Sequence, residues 1–184
     1  MKKGIILSVL VGLFIGVLII SLFFVFMLGP SSAENIDRHF IEQMIPHHDD
    51  AILMAEIAFE KAEHAELKTL SENINRTQSE EIAKMREWYK LWYGEDVPES
   101  SSGFGMIFGG MMGDATDIEM LESADPFDKE LIEQMIPHHQ MGIMMANMLL
   151  RGTEREEMKI LAQEIIDAQS REIVSMRSWY NLWY

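Results

Sequence analysis

IEQMIPHH occupies residues 41–48, and the same eight letters return at residues 132–139. At that offset of 91, residues 39–93 align with 130–184 without a gap, and about half of the positions are identical. The copies also close alike, QSEEIAKMREWYKLWY (78–93) against QSREIVSMRSWYNLWY (169–184). Two units are too few for a solenoid, so the pattern is an internal duplication.

Around the phrase the spacing is helical. Asp37, Ile41, Met44, His48, Ala51, Ala55, Ala58 and Ala62 step by three and four and line one helix face. Leu67, Leu70, Ile74, Gln78, Glu81, Met85, Trp88 and Trp92 do the same in the next segment. Each half therefore reads as a helical hairpin, with turns near residues 63 and 153. Gly152 predicts a left-handed helix stop. Thr153 with Glu156 predicts a capping box, and Asp125 with Pro126 an N-cap and first-turn proline. The fold class expected is all-α: a ferritin-like four-helix bundle of two duplicated hairpins, residues 34–93 and 125–184. A Gly/Ser/Met-rich linker, 94–124, joins them and predicts a short helix near 117–123. A connection of that length either crosses the whole bundle or forms a slack loop.

The stretch before the bundle has a different character. GIILSVLVGLFIGVLIISLFFVFM (4–27) carries no charge and exceeds the roughly 20 apolar residues that span a bilayer. Lys2 and Lys3 precede it, and no basic residue follows before Arg38, which predicts a cytoplasmic N-terminus and an extracytoplasmic bundle. A cleavable secretory signal ending near Ser31-Ser32-Ala33 is the alternative. Its apolar core would be far longer than the usual 7–15 or so residues, which favours an uncleaved single-pass anchor over residues 1–33.

The formal net charge is −15, or −17 once Lys2 and Lys3 are set aside. An acidic surface of that size argues against nucleic acid as a partner. With no cysteine, disulfides are excluded and any metal site must use other ligands. Methionine, at 16 residues, is the over-used type.

Folding each hairpin about its turn sets His47 and His48 opposite Gln78 and Glu81, with Met44 level with Met85. The second half sets His138 and His139 opposite Gln169 and Glu172, with Met135 level with Met176. Each hairpin thus gathers two imidazoles, two thioethers, a carboxylate and an amide, and each member recurs at the same offset. In a crossover topology the two His pairs approach each other mid-bundle. Buried polar groups are costly unless partnered, so the recurrence implies a network or a ligand set. In it, Gln78 would orient an imidazole and Glu81 would accept its second N–H. Pro46 and Pro137 leave the carbonyls of Glu42 and Glu133 without helical partners. They either aim the histidines inward or simply bend the helix for packing.

Thioether sulfur is soft and needs no deprotonation, so with imidazole it suits Cu(I), and by the same softness Ag(I). A di-iron site is disfavoured, because no Glu stands three residues before any histidine. Met44, Met85, Met135 and Met176 are the expected sulfur ligands beside His47, His48, His138 and His139. Gln78, Glu81, Gln169, Glu172, Met54, Met141 and Met145 are possible supporting groups, although Met54 and Met145 suit core packing as well. His39 and His64, which have no duplicate, are expected to be ordinary surface histidines. Asp37 and Asp128 are helix-start features or outer ligands.

MIPHH on a Met-rich helix, followed by Q-x-x-E-I-x-x-M-x-x-W, resembles the domain-of-unknown-function 305 family, and both halves carry the match. The resemblance implies a ferritin-like bundle and copper handling outside the cytoplasm. In the first half the motif falls on Met44, His47, His48, Met54, Gln78, Glu81, Met85 and Trp88. In the second it falls on Met135, His138, His139, Met145, Gln169, Glu172, Met176 and Trp179. Asp49-Asp50 stands where the second half has Gln140-Met141, which implies a harder first site.

The function expected is a membrane-anchored copper-binding protein for buffering, trafficking or resistance, without catalysis, exchanging its ion with another protein. Alternatives are a ferritin-like redox enzyme with copper or iron, a His/Met-ligated haem bundle, and a purely structural bundle.

Overall fold

A hairpin of two long helices, repeated once, organises the chain from Ala33 to Tyr184. The structure, a computed structural model, describes residues 32–98 and 117–184. Helix α1 (Ser32–Lys61) pairs with α2 (Ala65–Tyr93), and α4 (Phe127–Leu150) pairs with α5 (Glu156–Trp183). Among the described residues a short helix, α3 (Ile118–Ser123), precedes α4, and no strand occurs. Residues 4–27, read from the sequence as a membrane anchor, and Met106, Met111 and Met112 of the linker lie outside the described residues. Among those described, no helix is long and apolar enough to cross a membrane.

The helical stripe read from the first phrase is the buried face of α1: Asp37, Ile41, Met44, His48, Ala51, Ala55, Ala58 and Ala62 are all buried. Burial of a large apolar side chain such as Ile41 or Met44 contributes about 2 kcal/mol, so the stripe rather than helix propensity holds α1 in place.

Three contacts fix the direction of α4 against α1. Asp128, at the start of α4, bonds the turn that follows α1 at Glu63 and His64. His47 meets His138 midway. Asp37, early in α1, pairs with Arg155, just beyond the end of α4. The two helices are therefore antiparallel, and α2 runs parallel to α4. Gly94 and Asp117 consequently sit at opposite ends of the bundle, roughly 40 Å apart by helix length. Glu95 pairs with Arg38 at one end. Asp117 and Gln134 exchange hydrogen bonds at the other, where Lys61 donates to the Glu122 carbonyl.

The turns differ in detail from the sequence expectations. Gly152 is not left-handed; among the described residues positive φ occurs only at Gly94, which closes α2. Gly152 instead lies close against Ile36, where a Cβ would stand 2.6 Å from Ile36 Cδ1 and displace the end of that side chain. The capping box is also displaced. Thr153 Oγ1 accepts the Arg155 N–H, and α5 starts only at Glu156. Pro126 occupies the N-cap position of α4 rather than its first turn. Asp117 caps α3 by accepting from the Met120 N–H.

Candidate metal centre

The two apolar clusters of the core are separated by a polar layer. One cluster holds Met44, Met85 and Met145 with Phe40, Ile41 and Leu149. The other holds Met135, Met176 and Met54 with Leu131, Ile132 and Ala58. Met44, Met85 and Met145 are the duplicates of Met135, Met176 and Met54, so the duplication sets matching thioethers on the two sides of the layer, and the first cluster adds Met158. Met44 and Met135 stand one helical turn before His48 and His139, within side-chain reach of them.

Four imidazoles fill the layer, and all are buried. They run His48, His47, His138, His139, with ring centroids 6.1, 3.8 and 6.2 Å apart in turn. The innermost contact joins His47 of one hairpin to His138 of the other. The approach of the two His pairs expected of a crossover topology is present, and the pairs form one cluster.

Hydrogen bonding decides which ring nitrogens are free. His48 Nε2 donates to Glu81 Oε2 at 2.7 Å, and His139 Nε2 donates to Glu172 Oε2 at 2.7 Å. The role expected of Glu81 is therefore present twice. His47 Nε2 donates to the His138 carbonyl at 3.1 Å, because a carbonyl oxygen only accepts. In all three rings Nε2 is the donor, so the neutral form of each carries its lone pair on Nδ1. Those three Nδ1 atoms, and both ring nitrogens of His138, are buried without a hydrogen-bond partner among the described residues. Gln78 Oε1 and both amide atoms of Gln169 are likewise unpartnered. The expectation that Gln78 orients an imidazole thus fails in this state. Gly142 makes room for the second amide, since a Cβ there would collide with Gln169 Oε1.

Burial holds the inner rings neutral. Desolvation, reinforced by the neighbouring His48, lowers the His47 pKa to about 3, and desolvation with the facing His47 pushes His138 well below the ordinary histidine range. Neutral imidazole is the form that binds metal.

Nitrogen and oxygen donors do not complete a site by themselves. Among the described residues, no three His, Asp or Glu side chains are grouped so as to hold a metal ion. The arrangement offers lone pairs in a layer flanked by thioethers, a donor set that suits soft monovalent ions better than zinc or iron.

Other expectations were displaced. Asp49 and Asp50 are exposed, so they do not harden the buried layer; Met141, at the second-half position of Asp50, is half-buried against the first apolar cluster. Asp37 and Asp128 act as clasps between the hairpins. Asp128 accepts from the Glu63 and His64 N–H groups and from His64 Nδ1, and Asp37 pairs with Arg155. His64 is thus no ordinary surface histidine. It stacks on Trp183 at 3.6 Å, while Arg155, its counterpart at the 91-residue offset, lies 4.0 Å from the Trp92 ring. Tyr89 and Tyr180, which recur at the same offset, donate their hydroxyls to Glu42 and Glu133.

A crossover four-helix bundle with a buried, partly unpartnered imidazole layer between methionine-bearing cores defines the class of this protein. The chain belongs to the family described as Domain of unknown function (DUF305), whose pattern matches residues 37–180. Among solved structures it is similar to CopM in the Cu(I)-bound form, with 50% identity and a TM-score of 0.72 over 80% of this chain and 97% of that one. It is 48% identical to CopM in the Ag-bound form, with a TM-score of 0.71 over 80% and 97% of the two chains. The Cu(II)-bound form is also 48% identical, with a TM-score of 0.70 over 80% and 98%. Among curated proteins it matches the uncharacterized protein L153 of Acanthamoeba polyphaga mimivirus, 41% identical over 51 residues, or 28% of this chain. The match spans about a third, 34%, of that relative's length.

Proposed function

We propose that this protein binds Cu(I), and Ag(I) by the same chemistry, and that it buffers, carries or detoxifies copper outside the cytoplasm without catalysing a reaction. The observation that carries the reading is the imidazole layer, whose Nδ1 atoms are buried and unpartnered between two methionine-bearing clusters. Leaving a polar group buried and unpaired costs about 1–3 kcal/mol, and an ion that accepts those lone pairs would offset that cost. The likeness to CopM, solved with Cu(I), Cu(II) and Ag, supports copper or silver as the cargo.

In this reading His47, His48, His138 and His139 supply nitrogen, and Met44, Met85, Met135 and Met176 supply sulfur. Glu81 and Glu172 hold the outer rings in the tautomer that leaves Nδ1 free. Gln78, Gln169, Met54, Met141 and Met145 surround them. The apolar segment 4–27 anchors the protein with its bundle on the extracytoplasmic side, and a separate protein exchanges the ion.

Equilibrium dialysis of the full chain against buffered Cu(I) tests the proposal. Bound Cu(I) that falls in the His47→Leu/His138→Leu variant is expected. Absence of bound Cu(I) at micromolar free metal overturns the reading.

A further inference from the structure

A groove of about 120 Å³ opens on the face between α1 and α4, away from the imidazole layer. His39 and Gln43 line it from α1, and Met144, Met145 and Met148 from α4. The antiparallel register sets His39 level with Met148 and Gln43 level with Met144, while the four-residue step from Met144 to Met148 puts both thioethers on one helix face. Met148 is 56% exposed, a poor place for a side chain whose only task is to fill a core. The Gln43 amide nitrogen lies against the His39 ring.

The duplication supplies an internal control for what this face needs structurally. At the equivalent positions of the other half stand Glu130, Leu53 and Ile57 in place of His39, Met144 and Met148. The same bundle geometry is thus built with a carboxylate and two branched aliphatics, so packing does not require one imidazole and two thioethers here. At the equivalent face Gln134, the duplicate of Gln43, is tied to Asp117 and Glu130, and Leu121 of α3 packs in the core.

We infer that His39, Met144 and Met148 form a second, solvent-accessible site for a soft monovalent d10 ion, distinct from the buried layer. One imidazole nitrogen and two thioethers make a low-coordinate donor set that favours Cu(I) or Ag(I) over Mg(II) or Ca(II). Met145 lines this groove and also belongs to the buried cluster of Met44 and Met85, so the outer site adjoins the inner sulfurs. This deepens the proposed function by supplying an entry point. The outer site binds whether or not the inner layer does.

Ag(I) nitrate titrated into the full chain labelled at the methionine methyls, in chloride-free buffer, tests the site by NMR. The Met144 and Met148 methyl signals are expected to shift together and saturate at one equivalent. Met144→Leu/Met148→Ile, which copies the residues accommodated at 53 and 57, is expected to lose that equivalent and leave the Met44 and Met135 signals responsive. Shifts at Met144 and Met148 with silent Met44 and Met135 would uphold this site while overturning the buried one. The inference is overturned if Met144 and Met148 do not respond, if the variant titrates as the parent does, or if exposed Met120 responds as strongly.

Discussion

His47 and His138, 91 residues apart in sequence, place their rings 3.8 Å apart at the centre of the bundle, tilted by 32°. No charged ring is tolerated there: each imidazole lowers the pKa of the other, and burial lowers both. The contact therefore joins two neutral bases that belong to different hairpins, and it turns a duplication into a single site.

Replacing both rings with leucine separates stability from binding. Exchanging poorly partnered buried polar groups for apolar ones of similar size is close to neutral or stabilising. His47→Leu/His138→Leu is expected to melt within about 1 kcal/mol of the parent, or above it, when metal-free. The rise in melting temperature that Ag(I) gives the parent should be strongly reduced in the variant. Calorimetry with and without Ag(I) measures both, and a loss of several kcal/mol in the metal-free state would mark the rings as structural.

Acid should destabilise the metal-free protein through the same pair. With His47 depressed from 6.5 to about 3, the unfolded chain binds a proton there that the folded chain refuses. The stabilisation is fully present above pH 6.5 and is lost as pH falls toward 3. His138, lowered for the same reasons, adds in the same direction. Urea denaturation at pH 7, 6, 5 and 4 should show a flatter decline in His47→Leu/His138→Leu than in the parent. Equal slopes would place the acid sensitivity elsewhere.

Glu81→Ala and Glu172→Ala remove the carboxylates that hold His48 and His139 in one tautomer. Such supporting partners typically tune metal affinity by about 10–100-fold. Each variant is expected to weaken Cu(I) binding by that order, measured against a chromophoric Cu(I) competitor. Unchanged affinity in both would remove His48 and His139 from the donor set.

The two aspartate clasps should differ in cost. Asp128 is buried and accepts from two backbone N–H groups and His64, so Asp128→Ala strands the α1–α2 turn and should cost roughly 3 kcal/mol. Asp37 has one carboxylate oxygen unpartnered among the described residues, and burial raises its pKa against the opposing influence of Thr153 and Arg155. Its partner Arg155 is partly exposed and stays solvated, so Asp37→Ala should cost about 1 kcal/mol or less. Paired urea curves decide the order.

The repeated phrase by itself determined the hairpins, the inward stripe of α1 and the pairing of His48 with Glu81, because helical periodicity and a fixed offset are local properties of the chain. Only the tertiary structure decided that His47 meets His138, that the methionine sets fall on opposite sides of the imidazoles, and that Gly152 serves closeness to Ile36 rather than a left-handed turn. Those facts depend on α4 running antiparallel to α1. That direction is set by packing between segments about 90 residues apart, where no local spacing carries the information.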